Sequence, residues 1–253
     1  MGVSINIEKA VEEYKKKGGK TDFEDSLKQV LKFAKSDSRI NSVSDLAYLL
    51  ATAKVESDYS LQRWESDFLC GKQGVPYKDK PCQKALNYYR SSDEKKNYYE
   101  LGVDRNGLPY FGRGLIQLTG KSNYQKYGDK IGVDLVNDGD KALEPKNSYN
   151  IAVEYMINKR GGQYSKNGQN RSTFDLANDG DLTLARRSVN GGTKGIQEVN
   201  NYYDIWKSII NNNLIKIVES SKNGKVFKAL GYGIIVISIV GFAYGLYYFS
   251  RKK

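Results

Sequence analysis

Tyr110-Phe111-Gly112-Arg113-Gly114-Leu115-Ile116-Gln117-Leu118-Thr119-Gly120-Lys121-Ser122-Asn123-Tyr124 is the stretch around which the chain is organised. Two glycines bracket an arginine, and a short apolar run follows with Gln117 and Thr119 at alternate positions. If the run is extended, those two side chains share one face while Ile116 and Leu118 share the other. Such a stretch suits a strand or turn that lines a cleft. Gly120-Lys121-Ser122 ends like a phosphate-binding loop, but the first glycine of that pattern falls on Leu115, so the nucleotide reading is rejected.

Outside this stretch, the 253 residues divide by composition into one soluble domain, 1–215, and a tail. Residues 229–250 carry no charge, a length that at ~1.5 Å per residue spans a hydrocarbon layer of roughly 30 Å. A basic linker, 216–228, precedes this expected transmembrane helix, and Arg251, Lys252 and Lys253 form a basic tail after it. From residue 216 onward seven Lys or Arg stand against Glu219, so +6 of the formal +11 belongs to the tail and +5 to the domain. Anionic lipid attracts such flanks, and the remaining basicity suits an acidic polymer or a solvated surface. The N-terminus has no apolar core of a signal peptide, so the expected arrangement is a single-pass C-terminal anchor with undetermined orientation. Within the span, Gly241 and Gly245 leave a notch through which two such helices can dimerise.

The chain has no histidine, which excludes Ser-His-Asp chemistry, Cys-His pairs and His-based zinc sites. Two cysteines, Cys70 and Cys82, are too few for a four-thiolate site; they either close a short disulfide loop or remain thiols. No metal and no organic cofactor is expected.

Helical periodicity dominates the domain. Residues 5–17 carry a stripe of Ile5, Ile7, Ala10, Val11 and Tyr14 that ends at Gly18-Gly19, and residues 22–35 carry Phe23, Leu27, Val30, Leu31 and Ala34. A third helix is predicted from Ser44, as N-cap, to Glu56, with Leu46, Leu49, Leu50 and Ala53 on one face. Glu56 falls on that stripe, where it either aims at the core side as a proton donor or bends outward to water. Glu65 lies nine residues on; both carboxylates face one bond only if the helix ends near Ser57 to Tyr59 and the chain turns back. Asp58 and Asp67 are weaker candidates. The segment 70–109 is polar and rich in tyrosine, closing on a turn at Asp104-Arg105-Asn106-Gly107. Further helices are predicted over 148–158, from the Asp181 cap to Asn190-Gly191-Gly192, and over 196–210, with a loop at 159–170.

Tyr-x-Gly-Arg-Gly leading to Gln-Leu-Thr and Asn-Tyr, the helix end Ala53-Lys54-Val55-Glu56-Ser57, and Asn190-Gly191-Gly192 together resemble glycoside hydrolase family 19, the chitinase and phage-endolysin family. The resemblance covers roughly residues 40–210. It implies a mainly α, two-lobed, lysozyme-like domain with a central cleft, to which the transmembrane helix is added. It implies Glu56 as general acid, Glu65 as base, Thr119 as a holder of the attacking water, and Gln117, Asn123, Tyr110 and Asn190 as substrate-binding residues. Val55 replaces a histidine of the family's pattern, and Val199 stands where an arginine is common.

The expected activity is inverting hydrolysis of β-1,4 bonds in an N-acetylated aminosugar polymer, for which the two carboxyls should stand about 6.5–9.5 Å apart. The expected partners are peptidoglycan or a chitin-like polysaccharide and a lipid membrane, with no nucleic acid. Peptidoglycan is preferred because an anchored enzyme acts on a polymer beside its membrane, in a virion membrane or a bacterial envelope. A lytic transglycosylase and a non-catalytic wall-binding membrane protein are the rival readings.

Overall fold

The computed structural model describes residues 5–65, 87 and 102–222, with side chains as far as residue 212. By its contacts the chain divides into two units, Met1–Leu214 and Ile215–Lys253. The first unit is mainly helical. Its eight α-helices among the described residues are α1 (Ile7–Lys16), α2 (Glu24–Lys35), α3 (Val43–Ser57), α4 (Lys121–Ile131), α5 (Pro145–Ile157), α6 (Thr173–Asn178), α7 (Leu182–Asn190) and α8 (Ile196–Lys222), the last running past the unit's end.

α3 and α5 are the centre of the packing. Leu46 through Ala53 of α3 are buried without interruption, as in a helix covered on every side. α5 packs against α2, α3, α4 and α6, burying Ile151, Ala152, Tyr155 and Met156. α1 lies on α2, as its stripe requires, and buries Ala10, Val11 and Tyr14. Tyr14 stacks on Trp206 of α8 with ring centroids 4.7 Å apart. The loop between α5 and α6 holds two 3-10 turns, Gly161–Gln163 and Lys166–Gly168.

The start of α3 differs from the expected one. Its N-cap is Ser42, whose hydroxyl accepts from the Asp45 amide at 2.9 Å while Asp45 Oδ2 accepts from the Ser42 amide at 3.0 Å. Ser44, expected as the cap, instead accepts from the Tyr203 hydroxyl. The reciprocal box wins because it satisfies two amides at the helix start, where a lone serine satisfies one.

Among the described residues no helix is long and apolar enough to cross a membrane. The expected span at 229–250, Asp67, the two cysteines and the tyrosines from Tyr77 to Tyr99 lie outside the described residues.

Candidate active site

The site begins at the end of α3. Asp58 and Tyr59 follow the helix with φ of 54° and 66°, both left-handed without being glycine. Backbone of this kind costs on the order of 1–3 kcal/mol per residue and survives only where its surroundings impose it. Here they do. Asp58 pairs with Lys54 and accepts from the Asp22 amide at 3.1 Å, while the Tyr59 hydroxyl accepts from Trp206 Nε1 at 2.8 Å. Ser57 Oγ donates to the carbonyl of Leu115 at 2.8 Å, tying the helix end to the central stretch. The chain therefore turns back after Ser57, as placing both carboxylates on one cleft requires, and Trp64 pairs as a β-bridge with Arg113.

The central stretch is a tight turn rather than the extended run its alternation suggested. Arg113 and Leu118 exchange backbone hydrogen bonds at 3.2 and 2.9 Å, and Gln117 stands at φ 54°. The turn closes because the Gln117 amide folds back on it, donating from Nε2 to the carbonyls of Gly114 and Arg63 at 2.9 and 3.3 Å. Local hydrogen bonding of this kind offers the backbone an alternative to a strand ladder.

Both glycines of the motif are dictated by close approach. A Cβ on Gly112 would stand 3.0 Å from Gln117 Oε1 and 3.1 Å from Glu65 Oε2. One on Gly114, where φ is 76°, would stand 2.7 Å from Ser148 Oγ of α5. With Gly112 bare, Glu65 seats on the backbone twice: its Oε2 accepts from the Gly112 amide and its own amide donates to the Gly112 carbonyl, each at 2.8 Å.

Arg113 faces away from the cleft chemistry and is fully buried. Its guanidinium donates to the Tyr124 hydroxyl at 2.8 Å, to Asp140 at 3.1 Å and to the Pro109 carbonyl at 3.1 Å, and lies over the Phe111 ring at 4.3 Å. Burial works against its charge, and Tyr124, Asp140 and Asp104 together outweigh that. Asp104 also accepts the amides of Asn106 and Leu108, so the expected turn at 104–107 is locked to the same hub.

Glu56, Glu65, Gln117, Thr119, Asn123 and Asn190 all line one cleft of about 490 Å³, together with Tyr155, Arg160 and Tyr164. That volume lies within the range of small-molecule and cofactor sites. Thr119 donates its hydroxyl proton to the Gln117 carbonyl at 2.8 Å, which leaves the oxygen as an acceptor. Asn123 Nδ2 donates to the Thr119 carbonyl at 2.7 Å. Asn190, the last residue of α7, is exposed.

Tyr110 does not join them. It is buried, and its hydroxyl donates to the Val136 carbonyl at 2.8 Å, so it is a packing residue of the turn rather than a substrate contact. Its ring meets Tyr124 edge-on at 5.2 Å, which draws it to the apolar side of the stretch.

Arg186 of α7, which sequence reasoning passed over, donates from Nη1 to Glu56 Oε1 at 2.6 Å and from Nε to the Lys194 carbonyl at 2.8 Å. It is 3% exposed. Val199, where an arginine was expected by resemblance, is buried in the core. The cation paired with Glu56 comes from α7. Tyr155 is buried, its hydroxyl donating to the Val189 carbonyl at 3.2 Å, and it lines the cleft. Among the described residues no cluster of carboxylates and thiols is arranged to hold a metal.

A family model described as Chitinase class I, of glycoside hydrolase family 19, matches residues 72–174. Chitinase 11 of Oryza sativa subsp. japonica is 35% identical over 95 residues, a match covering 33% of this chain and 36% of the rice protein. The acidic 27 kDa endochitinase of Solanum lycopersicum is 42% identical over 60 residues, 23% of this chain and 24% of the tomato protein. The chain thus spans little more than a third of the first of these relatives. Among solved structures, chitinase C of Streptomyces griseus superposes with a TM-score of 0.54 over 83% of this chain and 94% of its own, at 15% identity. A bacterial family 19 chitinase does so at 0.51, over 81% and 94%, at 18% identity. The first unit therefore carries the fold of the family 19 chitinases, and the matched residues 72–174 run through its central turn.

Proposed function

We propose that the chain is a glycoside hydrolase that cleaves β-1,4 bonds of an N-acetylated aminosugar polymer with inversion. The observation that carries this reading is that Glu56, from the end of α3, and Glu65, seated on Gly112, line the same cleft with Gln117, Thr119, Asn123 and Asn190. Similarity to class I chitinases over residues 72–174 supports it. In this mechanism Arg186 holds Oε1 of Glu56, and Oε2 delivers the proton to the leaving oxygen. Glu65 takes a proton from a water on the opposite face. The Thr119 oxygen, its own proton committed to the Gln117 carbonyl, accepts that water's second hydrogen. Two carboxyls with a water between them are the arrangement of inverting glycosidases. Asn123, Asn190 and Gln117 meet acetamido and hydroxyl groups.

The polymer we propose is peptidoglycan, and the place is a membrane into which residues 229–250 insert. The uncharged length of that segment and its basic flanks support this reading. Glu56→Gln and Glu65→Gln should each lower turnover by at least about a hundredfold with unchanged circular dichroism. The substrates are purified peptidoglycan and chitin oligomers, assayed in parallel. Chitin turnover without peptidoglycan turnover reverses the choice of polymer. Full activity in Glu65→Gln, with anhydro-sugar products, makes the enzyme a lytic transglycosylase instead.

A further inference from the structure

Arg160 is a cation of the cleft that the proposed mechanism does not use. It lies three residues past α5, at the start of the Gly161–Gln163 turn, and is held from both sides: Lys159 forms a β-bridge with Ser172, and the Gly161 amide donates to the Arg171 carbonyl at 3.1 Å. Its guanidinium lies 4.6 Å from the centre of the Tyr155 ring, half-buried among tyrosines. Burial works against its charge, the surrounding Tyr155, Tyr127 and Tyr164 favour it, and among the described residues no carboxylate pairs with it. The cleft carboxylate Glu56 is already taken by Arg186. Lys126 and Lys130 add to the positive field, since burial and then these neighbouring cations, Arg160 first, push the Lys126 ammonium below its usual range.

We infer that Arg160 recognises a carboxylate carried on the substrate polymer, and so sets a preference for anionic over neutral aminosugar chains. The inference rests on reading the cleft as a polysaccharide site. A guanidinium removed from much of its water and stacked on an aromatic ring presents a planar fork of donors. A carboxylate fills that fork with two charge-assisted hydrogen bonds. The hydroxyl and acetamido groups of a neutral chain offer single, uncharged acceptors. The peptide-bearing strands of a bacterial wall carry such carboxylates and chitin does not.

The test compares polymers that differ in charge alone. Soluble wall glycan strands with free peptide carboxylates are set against the same strands amidated at those carboxylates, and carboxymethyl-chitin against glycol-chitin. The full chain should favour the charged member of a pair by about tenfold in kcat/KM, and the preference should shrink with salt. Arg160→Gln should bring that ratio close to one, and Arg160→Lys should keep part of it. Equal losses on both members would assign Arg160 to packing, and a wild type without preference would overturn the inference outright. If the chitin pair is cut and the wall pair is not, the peptidoglycan reading fails while the charge ratio still decides this one. If nothing is cut, retardation in native gels cast with each polymer gives the same ratio as affinities.

Discussion

Gly112 shows how a single missing Cβ makes a site. Its amide and carbonyl are both spent on Glu65, and the space a methyl group would take is filled by Glu65 and Gln117 oxygens at 3.0–3.1 Å. Gly112→Ala should push Glu65 aside by a few tenths of an ångström. Turnover should fall about tenfold for so small a misplacement, while thermal melting moves little; unchanged kinetics would mean that the carboxylate seat is not catalytic. Thr119 makes a second, separable demand. Thr119→Ser keeps the oxygen that accepts from water and the donor to Gln117, so activity should persist. Thr119→Val loses both and should fall by about a hundredfold. Equal activity of the two variants would reduce Thr119 to a packed turn residue. The glycine and threonine positions were legible in the sequence as a motif. That Gln117 would turn left-handed was not, because its driving force is a side-chain amide reaching the carbonyl of Arg63, 54 residues away in sequence. Tyr110 misled for a related reason: a motif marks which residues matter, and nothing in the string says that this one acts inward.

At the scale of elements, periodicity placed α1, α2, α5 and α7 close to where they lie because each buries one stripe, whereas α4 and α6 were not expected. Where the ends fall depends on capping contacts, so α3 begins at its Ser42 and Asp45 box. Arg186 was invisible for a different reason. It and Arg187 are adjacent arginines on a short helix, and only the packing of α7 beside the end of α3 makes one a buried partner of Glu56 and leaves the other exposed. A comparable junction fixes the entry to α3. Arg39 joins Asp37 at 2.7 Å, Glu154 at 2.8 Å and Asn150 at 2.9 Å, clamping the α2–α3 loop to α5. Burial alone would raise the Asp37 carboxyl; its bonds to Arg39 outweigh burial and hold it below the ordinary range. A carboxyl depressed in the folded state stabilises the protein above its unfolded value. That contribution is lost as pH falls through the folded one. Wild-type melting should therefore drop between about pH 5 and pH 2. Asp37→Asn should cost about 1–2 kcal/mol at neutral pH and lose much of the dependence in that acid window. Parallel curves for the two proteins would show that the clamp is not what acid breaks.

For the whole molecule, the charge is unevenly distributed along the chain. The domain 1–215 carries a net +5 over a mixed surface, whereas the last 38 residues hold seven cations around an uncharged stretch. If, as proposed, the cleft serves a polymer and residues 229–250 a bilayer, removing one should leave the other intact. The full chain should float with liposomes containing anionic lipid, and a chain ending at residue 215 should stay behind while keeping its turnover of soluble substrate. The helix–helix notch gives this prediction a second reading. In the sequence Gly241 and Gly245 are four residues apart, a spacing that on a membrane helix would let two backbones pack closely. Dimers in mild detergent that Gly241→Leu converts to monomers would locate the contact at that notch. A wild type that is monomeric in detergent disposes of the dimer and leaves the anchor standing, because insertion depends on the uncharged length of the segment and not on its glycines. Failure to float would remove the anchor, and with it the reason for placing the polymer beside a membrane; the choice between wall and chitin would then rest on the charge of the cleft alone.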